Sequence, residues 1–579
     1  MTPAHSQFTT RLLTLGAMLL ATAAASAAES PTWNLRPISG GDGEFLTEAL
    51  LGREVRSARP RASGKFASYQ YYQLPDDAPR QTGVAIIEVS FVDTGRGTIN
   101  LQYNSAGVPA FVPYREAEER RSTGFSNRGG FKTAVFRLAR PDFCRAQNQN
   151  ADLRLTFSDP QTQVRIASVV LSWGPTPLSE RLFARPWLEP WTGPTRQDVD
   201  ATTLHHKVLC GYQGWFRCPG DPEDRGWVHW SRDSQSLDAR TVTVDLWPDL
   251  SEFGDDETYP TPGFTIDNNR PARLFSSVDP RTIDRHFDWM QTYGLDGVFV
   301  QRFVVETGGP DSVRVLGYSR RAANRTGRVF AVEYDLSGTP KEQLFDRVTA
   351  DWKWLIDNLQ ITSDPRYLHH AGLPVLGLWG FYPDRFDGAT AHRLIDFFQS
   401  PGPYQARLVG GCDHRWRTLG DADWARAFRR LDVISPWNVG NTRKTAAGTL
   451  ANTRSWSDDL AEARRHNRGF MPVIYPGFSW DHLQRQPAGT TQIDRLGGEF
   501  FWRQFQDAAQ LEVEFVKIAM FDEVDEGTAI FKVTNQPPRE THFVTFPGQP
   551  SDWYLRLAAE GTRLIRLERA NVPFRELPR

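Results

Sequence analysis

Four carboxylates fall within five residues, Asp522, Glu523, Asp525 and Glu526, directly after the apolar run 515–521 (Phe-Val-Lys-Ile-Ala-Met-Phe). The run holds β-forming residues and neither Gly nor Pro, so it reads as a strand buried on both faces, as a parallel sheet requires. Gly527-Thr528 then lets the chain turn sharply. Acids crowded at the end of a buried strand repel one another and are costly to desolvate. A site that needs one protonated acid beside one ionised carboxylate at neutral pH would use such an arrangement. The chemistry that uses the pair is general acid and base catalysis. The competing reading is electrostatic only, with Asp525 and Glu526 at a helix N-terminus where they favour its dipole. A rival pair, Glu333 and Asp335, ends another apolar run and faces one side of a strand, since positions two apart do. There Glu333 is expected to hold substrate hydroxyls or a neighbouring Arg.

The elements that must position these groups change character along the 579 residues. Residues 1–28 read as an export signal: Arg11 precedes the apolar, Ala-rich stretch 12–28, and Ala25-Ser26-Ala27 is a small-x-small cleavage pattern. No later run approaches the length of a membrane span. The expectation is an exported protein, periplasmic or secreted. From 29 to 174, the β-rich stretches 84–92, 98–103, 132–138, 151–157 and 164–173 are separated by turns such as Asp-Thr-Gly-Arg-Gly and Ser-Asp-Pro. That rhythm predicts an antiparallel β-sandwich of jelly-roll type, serving as a carbohydrate-binding domain or as a packing module. A Pro-rich linker, 175–194, is expected to separate two folding units.

From 195 to 579 the rhythm is α/β. Strand candidates at 208–215, 297–303, 329–335, 374–381, 407–411, 433–438, 471–478 and 515–521 alternate with helical stretches at 283–293, 341–359, 389–398, 423–429, 457–466 and 497–511. Eight strands with intervening helices predict a (β/α)8 TIM barrel with long loops, closed by an amphipathic helix at 553–568. The β-rich run 241–247 is assigned to the first loop.

In such a barrel the working groups sit where the strands end, and these ends are rich in polar and aromatic residues. The expected substrate contacts are Tyr212, Trp215 and Trp230 at strand one, Arg302 at strand two, and Glu333 and Asp335 at strand three. Trp437 and Asn438 follow at strand six, Tyr475 and Trp480 at strand seven, and Asp522 and Asp525 beside Glu523 and Glu526 at strand eight. Indole and phenol rings stack on the C–H faces of sugars, so 19 Trp and 15 Tyr in an exported chain point to a carbohydrate partner, although such rings also fill cores. Lys+Arg 67 against Asp+Glu 69, with no basic block, argues against nucleic acid or an anionic membrane. Cys144, Cys210, Cys218 and Cys412 are too few for a disulfide scaffold, though Cys210 and Cys218 could close a small loop. With no C-x-x-C and no His/Cys cluster at zinc spacing, neither metal nor cofactor is expected.

These residues resemble a family. Asp522-Glu-Val-Asp-Glu-Gly-Thr528, Pro436-Trp-Asn-x-x-Asn-Thr-Arg443, Tyr212 to Trp215 with Trp227-Val-His-Trp230, and Leu295-Asp-Gly-Val-Phe are similar, in order, to motifs of glycoside hydrolase family 99 and its relative family 71. The likeness runs from about residue 208 to 531 and departs at two places. Ser435 stands where an Arg is expected, and Val524-Asp525 replaces a Trp-His between the acids. The resemblance implies a glycosidase acting on an α-linked glycan with retention. In that mechanism Glu523 is the base on the sugar's own 2-hydroxyl, which closes a 1,2-anhydro sugar, and Glu526 is the acid and then the base on water. The alternatives are an inverting family 71-like glucanase and a carbohydrate-binding protein on a dead barrel.

Overall fold

The computed structural model describes residues 31–80, 83–106, 112–266, 269–446 and 448–578; the export-signal expectation lies outside them. Residues 32–173 form two antiparallel sheets. One runs Phe45–Leu50, Arg53–Ala58, Arg165–Trp173, Val84–Val92, Phe131–Ala139, Glu119–Arg121, with Thr32–Asn34 added on Arg165–Trp173. The other runs Arg36–Ile38, Tyr69–Gln73, Leu153–Phe157, Ile99–Ser105, Val112–Glu116. Leu153–Phe157 alternates buried and half-buried, as a strand with one core face does. Its Leu153 and Leu155 share one apolar core with Ile87 and Val89 of the other sheet. The short strands at 45–58, 69–73 and 112–121 escape the sequence reading because they are rich in Glu, Arg, Gln and Tyr.

The second part is a parallel sheet curled round on itself in a TIM-like arrangement. Parallel pairing passes from strand one (Lys207–Tyr212) to strand two (Gly297–Phe303), three (Val329–Asp335), four (Leu373–Phe381), five (Arg407–Asp413) and six (Val433–Trp437). Strand eight (Phe515–Ile518) pairs with strand one. Strand seven is short and split: Gly469–Phe470 pairs with strand six and Val473–Ile474 with strand eight. Pro472 lies in the gap and has no N–H to offer a ladder, but its carbonyl still accepts from Lys517 N at 3.1 Å. A helix follows each strand: Pro280–Thr292, Arg314–Thr326, Lys341–Leu359, Gly388–Gln399, Ala422–Arg430, Trp456–Arg465, Glu499–Gln510 and Trp553–Ile565. Aspartates cap three of them, Asp279, Asp387 and Asp421, each accepting a first-turn N–H.

Helix Arg314–Thr326 and the hairpin of Thr258–Ile266 with Arg270–Phe275 are absent from the sequence reading. The helix hides its pattern by burying Arg314 and Arg320, and the hairpin by carrying Pro260, Pro262 and Pro271. The Pro-rich stretch carries a short helix, Pro177–Phe183, and lies against the barrel. Trp187 donates its indole N–H to Pro310 O at 2.8 Å, and the Arg314 guanidinium lies 3.9 Å over its ring. The part built of the two antiparallel sheets also meets the long first loop. Asp224 accepts from Thr123 N at 2.5 Å and from its hydroxyl at 3.1 Å. Arg128 donates to the carbonyls of Asp256 and Thr258 at 2.9 and 3.1 Å.

Candidate active site

Strand eight stops pairing at Ile518, and the chain runs on to a tight reversal. Ile530 N donates to Met520 O at 3.2 Å and Phe531 N to Phe521 O at 3.1 Å, so the four acids stand at the apex of a narrow loop. Gly527 (φ +61°) makes the turn, and a Cβ on it would come within 2.7 Å of Ser479 N in the loop after strand seven. That amide donates to Glu526 O at 2.9 Å. No helix begins at Asp525 or Glu526, so the helix-dipole reading of these acids falls.

Each acid has its own surroundings. Asp522 is fully buried and accepts from the amides of Gln213 and Gly214, at 2.8 and 2.9 Å. It fastens the end of strand eight to the end of strand one and is not presented to a substrate, which corrects the expectation for it. Burial pushes its carboxyl up to about 7, against the pull of those amides. Glu523 accepts from Gln213 Nε2 and from the Thr528 hydroxyl, both at 2.6 Å. Burial, then the charges of Glu526 and Asp525, push it well above the usual carboxylate range, and the two donors pull it back. Glu526 is the more open of the two; burial and Asp525 push it up to about 8, with the Trp480 indole opposing. Asp525 pairs through Oδ2 with His229 Nδ1 at 3.0 Å, while its Oδ1 is buried without a partner.

Of the aromatic residues expected at the rim, Trp215, Trp437 and Trp480 are half-buried at the strand ends. Trp215 stacks on His229 (3.8 Å, 8°) and on Phe303 (5.2 Å, 23°), which makes it a support for the Asp525 partner. Trp230 is a correction: it is fully buried, donates to Phe275 O and packs on Phe216 at 4.3 Å, so it is core. Tyr212 is likewise core, its hydroxyl on His286 Nδ1 at 2.9 Å. Tyr475 is buried against Phe500. Arg302 points into the layer between strands and helices, where Asp351 holds it through both carboxylate oxygens at 2.5 Å. Glu333 holds no Arg: it is buried in a pair with Lys517, at 2.5 and 2.6 Å, and also accepts from Gln301. Asp335 lies within electrostatic reach of Glu526 and raises its proton affinity further. Asn438 accepts from Asn441 Nδ2 at 2.9 Å.

Sequence reading missed Gln213, Thr528, His229 and Lys517 as members of the site. Lys517 carried a signal, since a lone cation in a strand buried on both faces must find an anion. Around the acids, Gln213 Oε1, Gln301 Oε1, Trp379 Nε1, Ser435 Oγ, Asn438 Nδ2 and Asp525 Oδ1 are buried without hydrogen-bond partners. They sit at the ends of strands one, two, four, six and eight. Buried polar atoms are normally satisfied, so this cluster is suited to a ligand rich in hydroxyls.

One group of potential metal ligands is present among the described residues: Asp245, His482 and His542, with ligand atoms within 4.8 Å of one another. Asp245 already accepts from the Ser479 hydroxyl, Asp481 N and His482 N, and pairs with His482 Nδ1 at 2.5 Å. His482 Nε2 meets the Thr541 hydroxyl at 3.1 Å. The group fastens the first loop to the loop after strand seven. The four thiols are free, and Cys218 donates to Phe275 O, so Cys210 and Cys218 close no loop.

No protein-family model matches the chain, and no curated protein does. Among solved structures, it is similar to the GH99 endo-alpha-mannosidase from Bacteroides thetaiotaomicron (TM-score 0.47, 16% identity, 63% of this chain and 99% of that one). It is also similar to a glycoside hydrolase-like protein (TM-score 0.36, 12% identity, 66% and 99%). GH5_18 from Streptomyces cattleya is a third (TM-score 0.33, 16% identity, 50% and 76%).

Proposed function

We propose that the protein is an exported glycoside hydrolase that cleaves an α-linked oligosaccharide or polysaccharide. The observation that carries this reading is the unequal pair at strand eight. Both carboxyls are pushed up, Glu523 by burial and the charges of Glu526 and Asp525, Glu526 by burial and the charges of Asp525 and Asp335, so together they hold a proton at neutral pH. Two donors converge on Glu523, against the single indole beside Glu526. Burial pushes Glu523 up as well, but its two donors favour the charged form, and this supports reading Glu523 as the base and Glu526 as the acid.

In the retaining route, Glu523 takes the proton of the sugar 2-hydroxyl as that oxygen attacks C1. Glu526 gives its proton to the departing glycosidic oxygen. Water then opens the 1,2-anhydro ring at C1, losing its proton to Glu526, while Glu523 returns the first proton to O2. Both side chains end as they began. The unpartnered groups at the strand ends bind and orient the sugar.

A 2-deoxy glycoside tests the route, because it has no 2-hydroxyl. The expected result is no turnover of the 2-deoxy substrate, with retained configuration in the product of its parent. Good hydrolysis of the 2-deoxy compound with inversion overturns the anhydro route in favour of direct attack by water. Binding without hydrolysis across a panel of α-linked glycans overturns the enzyme reading altogether.

A further inference from the structure

Arg385 lies between strand four and helix Gly388–Gln399, and it is held against two aromatic rings. Its guanidinium carbon stands 4.8 Å from the centre of the Trp379 ring and 4.9 Å from that of Tyr382. Trp379 shares a strand face with Gly377, where a Cβ would come within 2.6 Å of Glu333 Cγ. Trp379 therefore faces the inside of the barrel, one layer above the Glu333–Lys517 pair, and its ring meets the edge of Trp437 at 5.3 Å. The guanidinium thus covers the wall of the mouth. Gly380 (φ +83°) makes room for it, since a Cβ there would collide with Arg385 Nη1.

That same Nη1 is buried without a hydrogen-bond partner, and Arg385 forms no ion pair with any described residue. Its charge reaches Asp335, whose proton affinity it lowers, and Asp335 in turn acts on Glu526. Among the other buried guanidinium groups of the barrel, Arg302 and Arg217 meet the carboxylates of Asp351 and Glu223, Arg320 and Arg366 are met by backbone carbonyls, and Arg495 leaves its own Nη1 unpartnered while donating from Nη2 to Gly527 O and Ala529 O. Desolvating a guanidinium nitrogen without a partner is costly. Its planar fork fits a carboxylate or a sulfate, which offer two oxygens in one plane.

We propose that Arg385 is a specificity residue for an anionic substituent, a uronate carboxylate or a sulfate ester, on the glycan taken at the barrel mouth. This rests on the glycan reading of the site but deepens it from any α-glycan to an acidic one. The bland alternative is that Arg385 only packs on two rings.

The test is binding by the full chain carrying Glu526→Gln, titrated by calorimetry with three probes: an oligogalacturonate, a sulfated galactan oligomer and a neutral manno-oligosaccharide. One acidic probe should bind at least about tenfold more tightly than the neutral one, with a preference that weakens in salt; which acidic probe it is separates carboxylate from sulfate. Adding Arg385→Met should reduce the preference to less than about twofold. Arg385→Lys keeps charge and stem but loses the fork, so it should lose part of the preference even where the Met variant does not fold. Equal binding of acidic and neutral probes, no binding of any, or an undiminished preference in both Arg385 variants overturns the proposal. Hydrolysis by the unaltered chain is read separately, so the glycosidase reading can fail while the acidic preference stands.

Discussion

At the level of single residues, Glu523 and Glu526 differ in what surrounds them, and the difference predicts how each variant fails. Removing a general acid costs about 10²–10⁴ in rate when the leaving group needs its proton. Glu526→Gln should therefore lose that factor on a natural glycan yet keep most of its activity on an aryl glycoside with an activated leaving group. Glu523→Gln should damage both, because it assists attack at C1; steady-state rates on the two substrates check the split, and wild-type rates in both variants would move attention to Glu333 and Asp335. A second consequence is a pH dependence of stability. Glu526 is raised from its ordinary 4.5 to about 8, so the folded state binds its proton more tightly than the unfolded chain does. That contribution is complete below about pH 4.5 and is lost as pH rises through about 8. The melting temperature of Glu526→Gln minus that of the wild type should climb across this window, and a flat difference would contradict the raised value. Activity should fall above about pH 8, as the acid loses its proton.

At the level of elements, the pair beneath the mouth carries the clearest prediction. Lys517 of strand eight and Glu333 of strand three are each about 1% exposed, so removing one strands the charge of the other. Lys517→Met should cost about 3–5 kcal/mol in urea unfolding, and Lys517→Met with Glu333→Leu should recover most of that loss. The same elements show what a sequence can disclose. Strands two and three match their expected bounds, 297–303 and 329–335, because parallel strands buried on both faces read as unbroken apolar runs. Strand seven shrinks from 471–478 to two short pieces because Pro472 interrupts its ladder. The acids of strand eight were legible because their spacing is local. Gln213 and His229 were not, because what makes them part of the site is contact across 310 and 296 residues of chain, and Thr528, only five residues from Glu523, reads as part of the turn and not as a donor to that acid. Trp230 misled for the same reason: a Trp beside a strand end looks alike in sequence whether it faces a core or a cleft.

At the level of the whole molecule, the part built of the two antiparallel sheets touches the loop that carries His229. Thr123 and Arg128 hold that loop at Asp224, Asp256 and Thr258, and His229 holds Asp525 between the two glutamates. A chain beginning at Thr195 is therefore expected to fold with a weakened site. Turnover should fall while the melting transition of the barrel persists, and full turnover by the shortened chain would make the two antiparallel sheets an accessory.

Strand one, residues 207–212, finds its partner in residues 515–518. Between their syntheses some 300 residues must be made, which at about 5–20 residues per second takes roughly 15–60 s. For that interval the edge of strand one that strand eight will cover, Lys207 to Cys210, is an open line of amides and carbonyls, the kind of edge that pairs with the wrong chain. Strand eight, which leads into the four acids, is thus also the seal on the edge of strand one. Damage to strand eight should appear first as lost yield and aggregation during expression, ahead of any change in rate.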